Sequence, residues 1–168
     1  RATLVAAMAI ALVVLGSSWT LVHMAYYRRQ DLPVGLGLKD RHATLLRRSA
    51  LYAASHWANQ HLPKDARVLL VLVHGGYFLE RDYVFAFPGK QFVVHWQAME
   101  GPDSLRSRLR ELGITHVLIG DWQKDKLLAI EKGALELLEP ILAETGREIF
   151  HDREHEDTGG AVIWELRQ

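Results

Sequence analysis

The chain has 168 residues, of which 49% are hydrophobic and 24% charged, and its 20 Lys and Arg residues balance its 20 Asp and Glu residues. This composition suits one globular domain with one additional element. A net charge of zero argues against nucleic acid as a partner, because no overall positive field attracts it. The absence of cysteine excludes a disulfide scaffold, a thiolate metal site and a thiol nucleophile.

The N-terminal part of the chain is strongly apolar. Residues 2–15 contain one polar residue, Thr3, and the apolar character continues to Ala25. A helix over this span would be about 36 Å long, enough to cross a hydrocarbon core of about 30 Å. The sequence therefore predicts a transmembrane helix and anchor over residues 1–29, in contact with the lipid bilayer. The residues expected to anchor it at the interface are Trp19, Tyr26, Tyr27, Arg28 and Arg29.

A cleaved signal peptide is the alternative interpretation of this segment. Arg1, the apolar residues 4–15 and the small residues Gly16 and Ser18 follow the order that such peptides require. Since the first residue is not Met, we expect either that the start has been removed or that the chain is the tail of a longer membrane protein.

Charge is distributed unevenly along the chain. Residues 28–48 carry six basic side chains and two acidic ones, whereas residues 144–157 are mainly acidic. A basic segment beside a membrane helix favours anchoring on anionic lipid headgroups. Because loops rich in Lys and Arg tend to stay on the cytoplasmic side of a membrane, this segment also favours a cytoplasmic position for the rest of the chain.

The soluble part is predicted to begin after a linker. Residues 30–40 contain Pro33, Gly35 and Gly37, which are typical of a linker, and residues 41–168 then form the domain. A helix capped by Asp40 or Thr44 is expected to run to about Gln60. The run RVLLVLV at residues 67–73 predicts a strand buried on both faces, with helices above and below it.

The rest of the domain alternates between helical and extended patterns. Residues 77–81 predict one helical turn, and residues 102–112 and 124–145 predict helices, the second kinked or split at Pro140. Further strands are expected at residues 83–87, 91–96, 114–119, 147–152 and 161–166, the last two forming a hairpin. His95 and His116 lie in apolar runs and are expected in the core. The prediction is an α/β fold: a three-layer domain with a mixed, partly parallel sheet, preceded by one transmembrane helix.

One edge of this sheet is the best candidate for ligand binding. In open α/β sheets, ligands bind beyond the carboxyl ends of the strands. If the strands at 67–73 and 114–119 are parallel neighbours, two segments meet there, one with a histidine and a tyrosine, the other with an aspartate and a tryptophan. Such a crevice suits a sugar or glycan, because aromatic faces stack on sugar rings and Asp accepts hydroxyl hydrogen bonds. The candidate ligand-binding residues are His74, Gly75, Gly76, Tyr77, Asp121 and Trp122.

Two other chemical interpretations are weaker. The segment His74-Gly75-Gly76 resembles the oxyanion loop of lipase-like hydrolases, but the G-x-S-x-G serine elbow that this chemistry needs is absent from the sequence. His151 and His155, among acidic residues, have metal-ligand spacing but fall in a predicted strand and turn. We therefore predict no catalytic residue, no metal site and no cofactor.

Three stretches of the sequence carry a family resemblance. They are WANQHLPKDARV at 57–68, GYFLERDY at 76–83 and LGITHVLI at 112–119. Over about residues 42–120 the chain resembles the soluble C-terminal tail of bacterial membrane glycosyltransferases of the GT-C class, the dolichyl-phosphate-mannose mannosyltransferase-like group.

The resemblance implies a function and a topology. Residues 2–27 would be the last membrane helix, the domain would be periplasmic, against the tendency of the basic segment, and the donor would be a polyprenyl-phosphate sugar. In that family the catalytic acid lies in an early loop that has no counterpart in this chain, so this domain would support a membrane-embedded catalytic part or contact the acceptor. The alternative is a single-span accessory subunit of a larger membrane complex, its helix packing on partner transmembrane helices through Ala6, Ala9 and Gly16.

Overall fold

The computed structural model describes residues 13–14, 16–20, 22–23, 26, 32–73, 75–88, 93–120, 129–152, 155 and 160–167. Contacts between Cα atoms divide the chain into two compact units, Arg1–Thr44 and Leu45–Gln168. Most of the predicted transmembrane helix lies outside the described residues, as do Tyr27, Arg28 and Arg29. Among the residues that the structure does describe, no helix has both the length and the apolar character needed to cross a membrane.

The first unit contains helical residues at 13–14, 16–20, 22–23 and 26. The large apolar side chains at these positions are exposed, from 57% at Val14 to 72% at Trp19. The segment predicted as a linker is also partly ordered, because Leu32–Gly35 forms one helical turn. Gly37, with φ of 71°, closes that turn. A linker was expected because Pro and Gly are frequent there, but Pro is tolerated in a first helical turn and Gly at its end.

Two helices replace the single helix predicted up to Gln60. They are α1, Arg41–Arg48, and α2, Ala50–His61. Ser49 between them has an extended backbone, and its Oγ accepts a hydrogen bond from the Tyr52 N–H at 3.2 Å. The prediction was wrong at this point because Ser49 acts as the N-cap of a new helix.

A five-stranded sheet forms the centre of the second unit. Its strands are β1 (Arg67–Val71), β2 (Asp82–Phe85), β3 (His116–Gly120), β4 (Gly146–His151) and β5 (Ala161–Leu166), in the spatial order β2-β1-β3-β5-β4. β1 is parallel to β2 and β3, whereas β5 is antiparallel to β3 and β4. The predicted α/β class, the mixed and partly parallel sheet and the closing hairpin are confirmed.

Helices cover both faces of the sheet. Along β1, Leu69 and Val71 point into a core shared with α3, Pro102–Glu111, and α4, Ala129–Thr145. Val68 and Leu70 point into the opposite core, which is shared with α2. This alternation follows from the two-residue period of a strand and explains why the run at 67–73 is apolar throughout.

Leu72 ends β1 by changing the backbone conformation. Its φ of 56° is in the left-handed region, which is uncommon for a bulky residue. The strand alternation is broken there, so Leu72 joins the same core as Val71, and Val73 joins the opposite one. The observed strand β1 is therefore two residues shorter than the predicted one.

Other predicted elements differ locally. Residues 77–81 do not form a helical turn; the Leu79 N–H instead bonds to the Gly76 carbonyl oxygen at 3.0 Å, which closes a β-turn.

Residues 93–96 are not a strand: His95 is left-handed and exposed, which corrects its expected place in the core. Trp96 begins a 3₁₀ turn, Trp96–Ala98, and its Nε1 donates to the Ala86 carbonyl oxygen. Gln91 and Phe92, in the same predicted strand, lie outside the described residues.

The helix α4 continues through Pro140 without being split. Pro140 removes one N–H from the helix, but both Pro140 and Glu136 are exposed, so the carbonyl that loses its partner lies on the solvent side. Residues 124–128 of the predicted helix are outside the described residues.

Candidate functional site

The predicted ligand-binding edge has the strand arrangement that it requires. β1 and β3 are parallel neighbours, with Val71 opposite Ile119, so their carboxyl ends lie at the same edge of the sheet. A Cβ placed on Gly120 would lie 3.1 Å from Val73 Cγ2, which shows how closely the two strand ends approach. His74, Asp121 and Trp122 lie outside the described residues, whereas Gly75, Gly76 and Tyr77 are described.

Two tyrosine rings lie against the Gly75-Gly76 backbone. A Cβ placed on Gly75 would be 2.4 Å from the Tyr77 ring, and one placed on Gly76 would be 2.6 Å from the Tyr83 ring. Only glycine allows this approach, since real Cβ atoms do not come within 3 Å of such neighbours. Tyr77 nevertheless remains 88% exposed and Tyr83 45% exposed.

The Asn59 side chain fixes the loop that carries Tyr77. Asn59 Nδ2 donates to the Phe78 carbonyl oxygen at 2.8 Å, and its Oδ1 accepts from the Glu80 N–H, also at 2.8 Å. The Phe78 ring packs edge-on against Tyr52 of α2, with the ring centroids 4.8 Å apart. One amide therefore satisfies both a donor and an acceptor of the loop, and the loop is held against the end of α2.

Arg81 holds the same loop through a second set of hydrogen bonds, to carbonyl oxygens at the end of α2. Asn59 and Arg81 together are called the clamp below. Its Nη2 donates to the carbonyl oxygens of Asn59 at 2.7 Å and Leu62 at 3.1 Å. These carbonyls lie at the C-terminal end of α2, where backbone acceptors have no partner within the helix and a positive charge is favourable. Asn59 and Arg81 lie in the sequence stretches 57–68 and 76–83, and in this structure their side chains hold a loop in place.

The described part of this edge is suited to binding. Tyr77 presents an exposed aromatic ring, and the residues that follow it, Phe78 to Arg81, are held by hydrogen bonds to α2 and its C-terminal end. An exposed ring of this kind can stack on an apolar sugar face or another flat surface.

A second polar region, missed by the sequence analysis, surrounds His116 at the other end of β3. An open groove of about 340 Å³ lies there, and the residues that line it include Trp57, His61, His116, Arg147 and Glu165. His116 is buried, and its Nδ1 lies 2.8 Å from Thr115 Oγ1. Burial lowers the pKa of His116, although the nearby Glu165 carboxylate acts in the opposite direction.

The same groove contains an ion pair that holds Glu165. Arg147 Nη2 lies 2.6 Å from Glu165 Oε2, and Glu165 is the cross-strand neighbour of His116. The expected core position of His116 is confirmed. The groove could not be anticipated because its walls come from α2, β3, β4 and β5, which are distant in sequence.

An apolar cavity of about 220 Å³ lies between α4 and the β4–β5 hairpin. Its wall is formed mainly by Leu135, Leu138, Leu142, Val162 and Trp164. Three polar residues, Glu139, Glu148 and His151, also line it, and His151 Nδ1 lies 3.2 Å from Glu148 Oε1.

The histidines considered for a metal site form two separate pairs. His151 pairs with Glu148, whereas His155 Nδ1 lies 2.8 Å from Asp152 Oδ2 in a buried position. Within the described ranges, no group of three His, Asp or Glu residues is arranged to hold a metal ion.

Comparison with known proteins gives no match: no protein-family model, no curated protein and no solved structure is detectably similar to this chain.

Proposed function

We propose that this chain is a membrane-anchored, non-catalytic domain. Residues 2–27 cross the bilayer, and the α/β domain lies on the periplasmic side. There it supports the membrane-embedded part of a glycosyltransferase that uses a polyprenyl-phosphate sugar, or contacts the acceptor of that enzyme.

The exposed apolar side chains of the N-terminal helical residues carry this proposal. Val13, Val14, Trp19, Val22 and Tyr26 are all helical and all exposed. Large apolar side chains that are exposed on helical residues favour a surrounding of lipid or of other helices. The hydroxyl of Thr20 supports the same interpretation, because it donates to the Gly16 carbonyl oxygen at 2.9 Å and so needs no water.

The clamped loop supports a role for the domain in contacts. Asn59 and Arg81 hold the segment that follows Tyr77, whose ring is exposed at the carboxyl edge of the sheet. The glycosyltransferase assignment itself rests on the resemblance of the three sequence stretches.

Membrane extraction and cysteine labelling test this proposal. After expression in a bacterial host, the chain is expected to stay in the membrane pellet at alkaline pH. Because the chain has no cysteine, Lys132→Cys on the exposed side of α4 supplies a single labelling site. A membrane-impermeant maleimide should label it before lysis, once the outer membrane is permeabilised. Release of the chain at alkaline pH would contradict the anchor, and labelling only after lysis would contradict the periplasmic position.

The second candidate is an accessory subunit of a larger membrane complex, since the same exposed helical residues could pack against partner helices. The mass of the polypeptide purified from its natural source separates the two. A mass several-fold above 19.1 kDa supports the enzyme tail, and a mass near 19.1 kDa that co-purifies with other membrane proteins supports the subunit.

A further inference from the structure

Two leucines in the segment between the N-terminal helical residues and α1 are exposed. Leu36 is 65% exposed and Leu38 is 75% exposed, and only Gly37 separates them. Single exposed apolar residues are common on protein surfaces, but two in one short turn favour a contact with something apolar.

The turn that carries these leucines is closed by hydrogen bonds. The Leu38 N–H bonds to the Pro33 carbonyl oxygen at 2.8 Å, and the Gly37 N–H bonds to the Val34 carbonyl oxygen at 3.1 Å. With Gly37 at φ of 71°, these two bonds form a Schellman motif at the end of the turn Leu32–Gly35. In such motifs the residue at the position of Leu38 frequently packs back on the helix, but here most of its side chain faces outward.

The charges beside the leucines favour an anionic surface. Lys39 and Arg41 are exposed, and Asp40 is the one acidic residue in the sequence from 32 to 44. The Asp40 carboxylate is engaged at the start of α1, where its oxygens accept hydrogen bonds from the N–H groups of His42 at 3.0 Å and Ala43 at 3.3 Å. The negative charge is thus offset by the helix N-terminus, while both cations are left at the surface.

The chain length keeps this turn near the proposed anchor. Leu36 is ten positions after Tyr26 in the sequence, so the two can be no more than about 35 Å apart. Apolar side chains beside Lys and Arg are the combination by which peripheral segments enter the boundary between headgroups and acyl chains.

We propose that Leu36 and Leu38 insert into the surface of an anionic phospholipid bilayer while Lys39 and Arg41 pair with its phosphates. This membrane contact is additional to residues 2–27, and it rests on the proposed function because that function brings the turn to the bilayer. It would fix the segment that connects the anchor to the rest of the chain.

Fluorescence quenching of the full-length chain tests the contact. In Leu38→Cys the introduced thiol is the only one, so an environment-sensitive fluorophore reports on that position alone. Lys132→Cys, at an exposed position of α4, is the matched control. The variants are reconstituted in vesicles of phosphatidylcholine or of phosphatidylcholine mixed with phosphatidylglycerol. The label at position 38 should be several-fold less quenched by aqueous iodide in the mixed vesicles than the label at position 132.

A charge variant tests the lipid preference. Each basic residue near an anionic surface contributes about 1 kcal/mol, or roughly fivefold in an equilibrium constant. Lys39→Ala with Arg41→Ala in the Leu38→Cys background should therefore shift the equilibrium from the docked towards the free turn by roughly 30-fold.

Each alternative result has a defined meaning. Equal quenching at positions 38 and 132 would overturn the contact, and equal protection in neutral vesicles would overturn its preference for anionic lipid. Protection that needs a co-purified protein would assign the surface to a protein partner instead. Alkaline extraction reports on the anchor separately, so failure of the proposed function can be recognised without the quenching data.

Discussion

At the scale of single residues, Asn59 explains most about the ordered loop after β1. Its amide donates to the Phe78 carbonyl oxygen and accepts from the Glu80 N–H. The Phe78 bond is half-buried, and removing the partner of such a group costs about 1–3 kcal/mol because the group is also shielded from water, whereas the exposed Glu80 N–H can bond to water instead. The stability of the loop therefore depends on one side chain that the sequence pattern gives no reason to single out.

Asn59→Ala is expected to lower the free energy of unfolding by about 2 kcal/mol. Gln60→Ala is the matched control, since Gln60 is the next residue of α2 and is exposed, and changes at such positions stay within about 0.5 kcal/mol. Urea denaturation of the two variants measures the difference. Similar stabilities would mean that the two hydrogen bonds do not hold the loop.

His116 gives the domain a pH dependence. Burial lowers its pKa in the folded state, so as the pH falls the unfolded state, with an ordinary pKa near 6.5, takes up the proton first. The contribution of His116 to the free energy of unfolding is therefore favourable above pH 6.5, and it is lost as the pH falls below 6.5. Thermal unfolding at pH 7.5 and pH 5.5 should show a smaller loss of stability in His116→Asn than in the unchanged chain. An equal effect in His42→Asn, at an exposed position, would contradict burial as the cause.

At the scale of elements, the sequence predicted the long buried strands and the hairpin but not the interruptions between elements. The run at 67–73 identifies β1 because a strand covered on both faces is apolar throughout. By contrast, the break at Ser49, the left-handed Leu72 and the left-handed His95 depend on tertiary packing or on a single hydrogen bond. The periodicity of apolar residues contains no signal for any of them.

Of the candidate site, the position at the carboxyl edge of the sheet could be predicted, whereas the side chains that hold its loop could not. The predicted site required the strands at 67–73 and 114–119 to be parallel neighbours, a condition that the sequence left open and that the pairing of β1 with β3 meets. The clamp could not be predicted, because Asn59 and Arg81 are 22 residues apart and each bonds to backbone atoms, which leave no mark in the sequence. The groove at His116 was missed for a related reason: four different elements build it.

Two glycines give opposite predictions for the same substitution. Gly113 follows α3 with φ of 65°, whereas Gly133 lies inside α4, and a Cβ meets nothing closer than 4.0 Å at either position. Gly113→Ala should therefore destabilise the domain by about 1 kcal/mol, because an L-residue is strained at positive φ. Gly133→Ala should stabilise it by up to about 1 kcal/mol, because alanine has the higher helix propensity. Chemical denaturation of both variants is the measurement, and a loss of stability in Gly133→Ala would contradict the helical environment assigned to it.

At the scale of the whole molecule, the two units differ in what covers their apolar side chains. In Leu45–Gln168, Leu69, Leu118 and Ile163 are fully buried by the domain's own helices and strands. In Arg1–Thr44, most of the described large apolar side chains, such as Val13, Trp19 and Leu38, are exposed. The first pattern is that of a domain able to fold alone, and the second is that of a segment that needs a surrounding.

A fragment that begins at Asp40 tests this difference. It retains α1 with its Asp40 cap and all of the second unit, and it lacks the exposed apolar residues before them. We expect the fragment to remain in solution without detergent and to unfold cooperatively at the same melting temperature, within error, as the full chain in detergent. Circular dichroism at increasing temperature provides the comparison, since the sheet and both of its cores belong to the fragment. A fragment that aggregates or lacks a cooperative transition would show that the N-terminal segment stabilises the domain directly, and the membrane would then not be needed to explain its apolar surface.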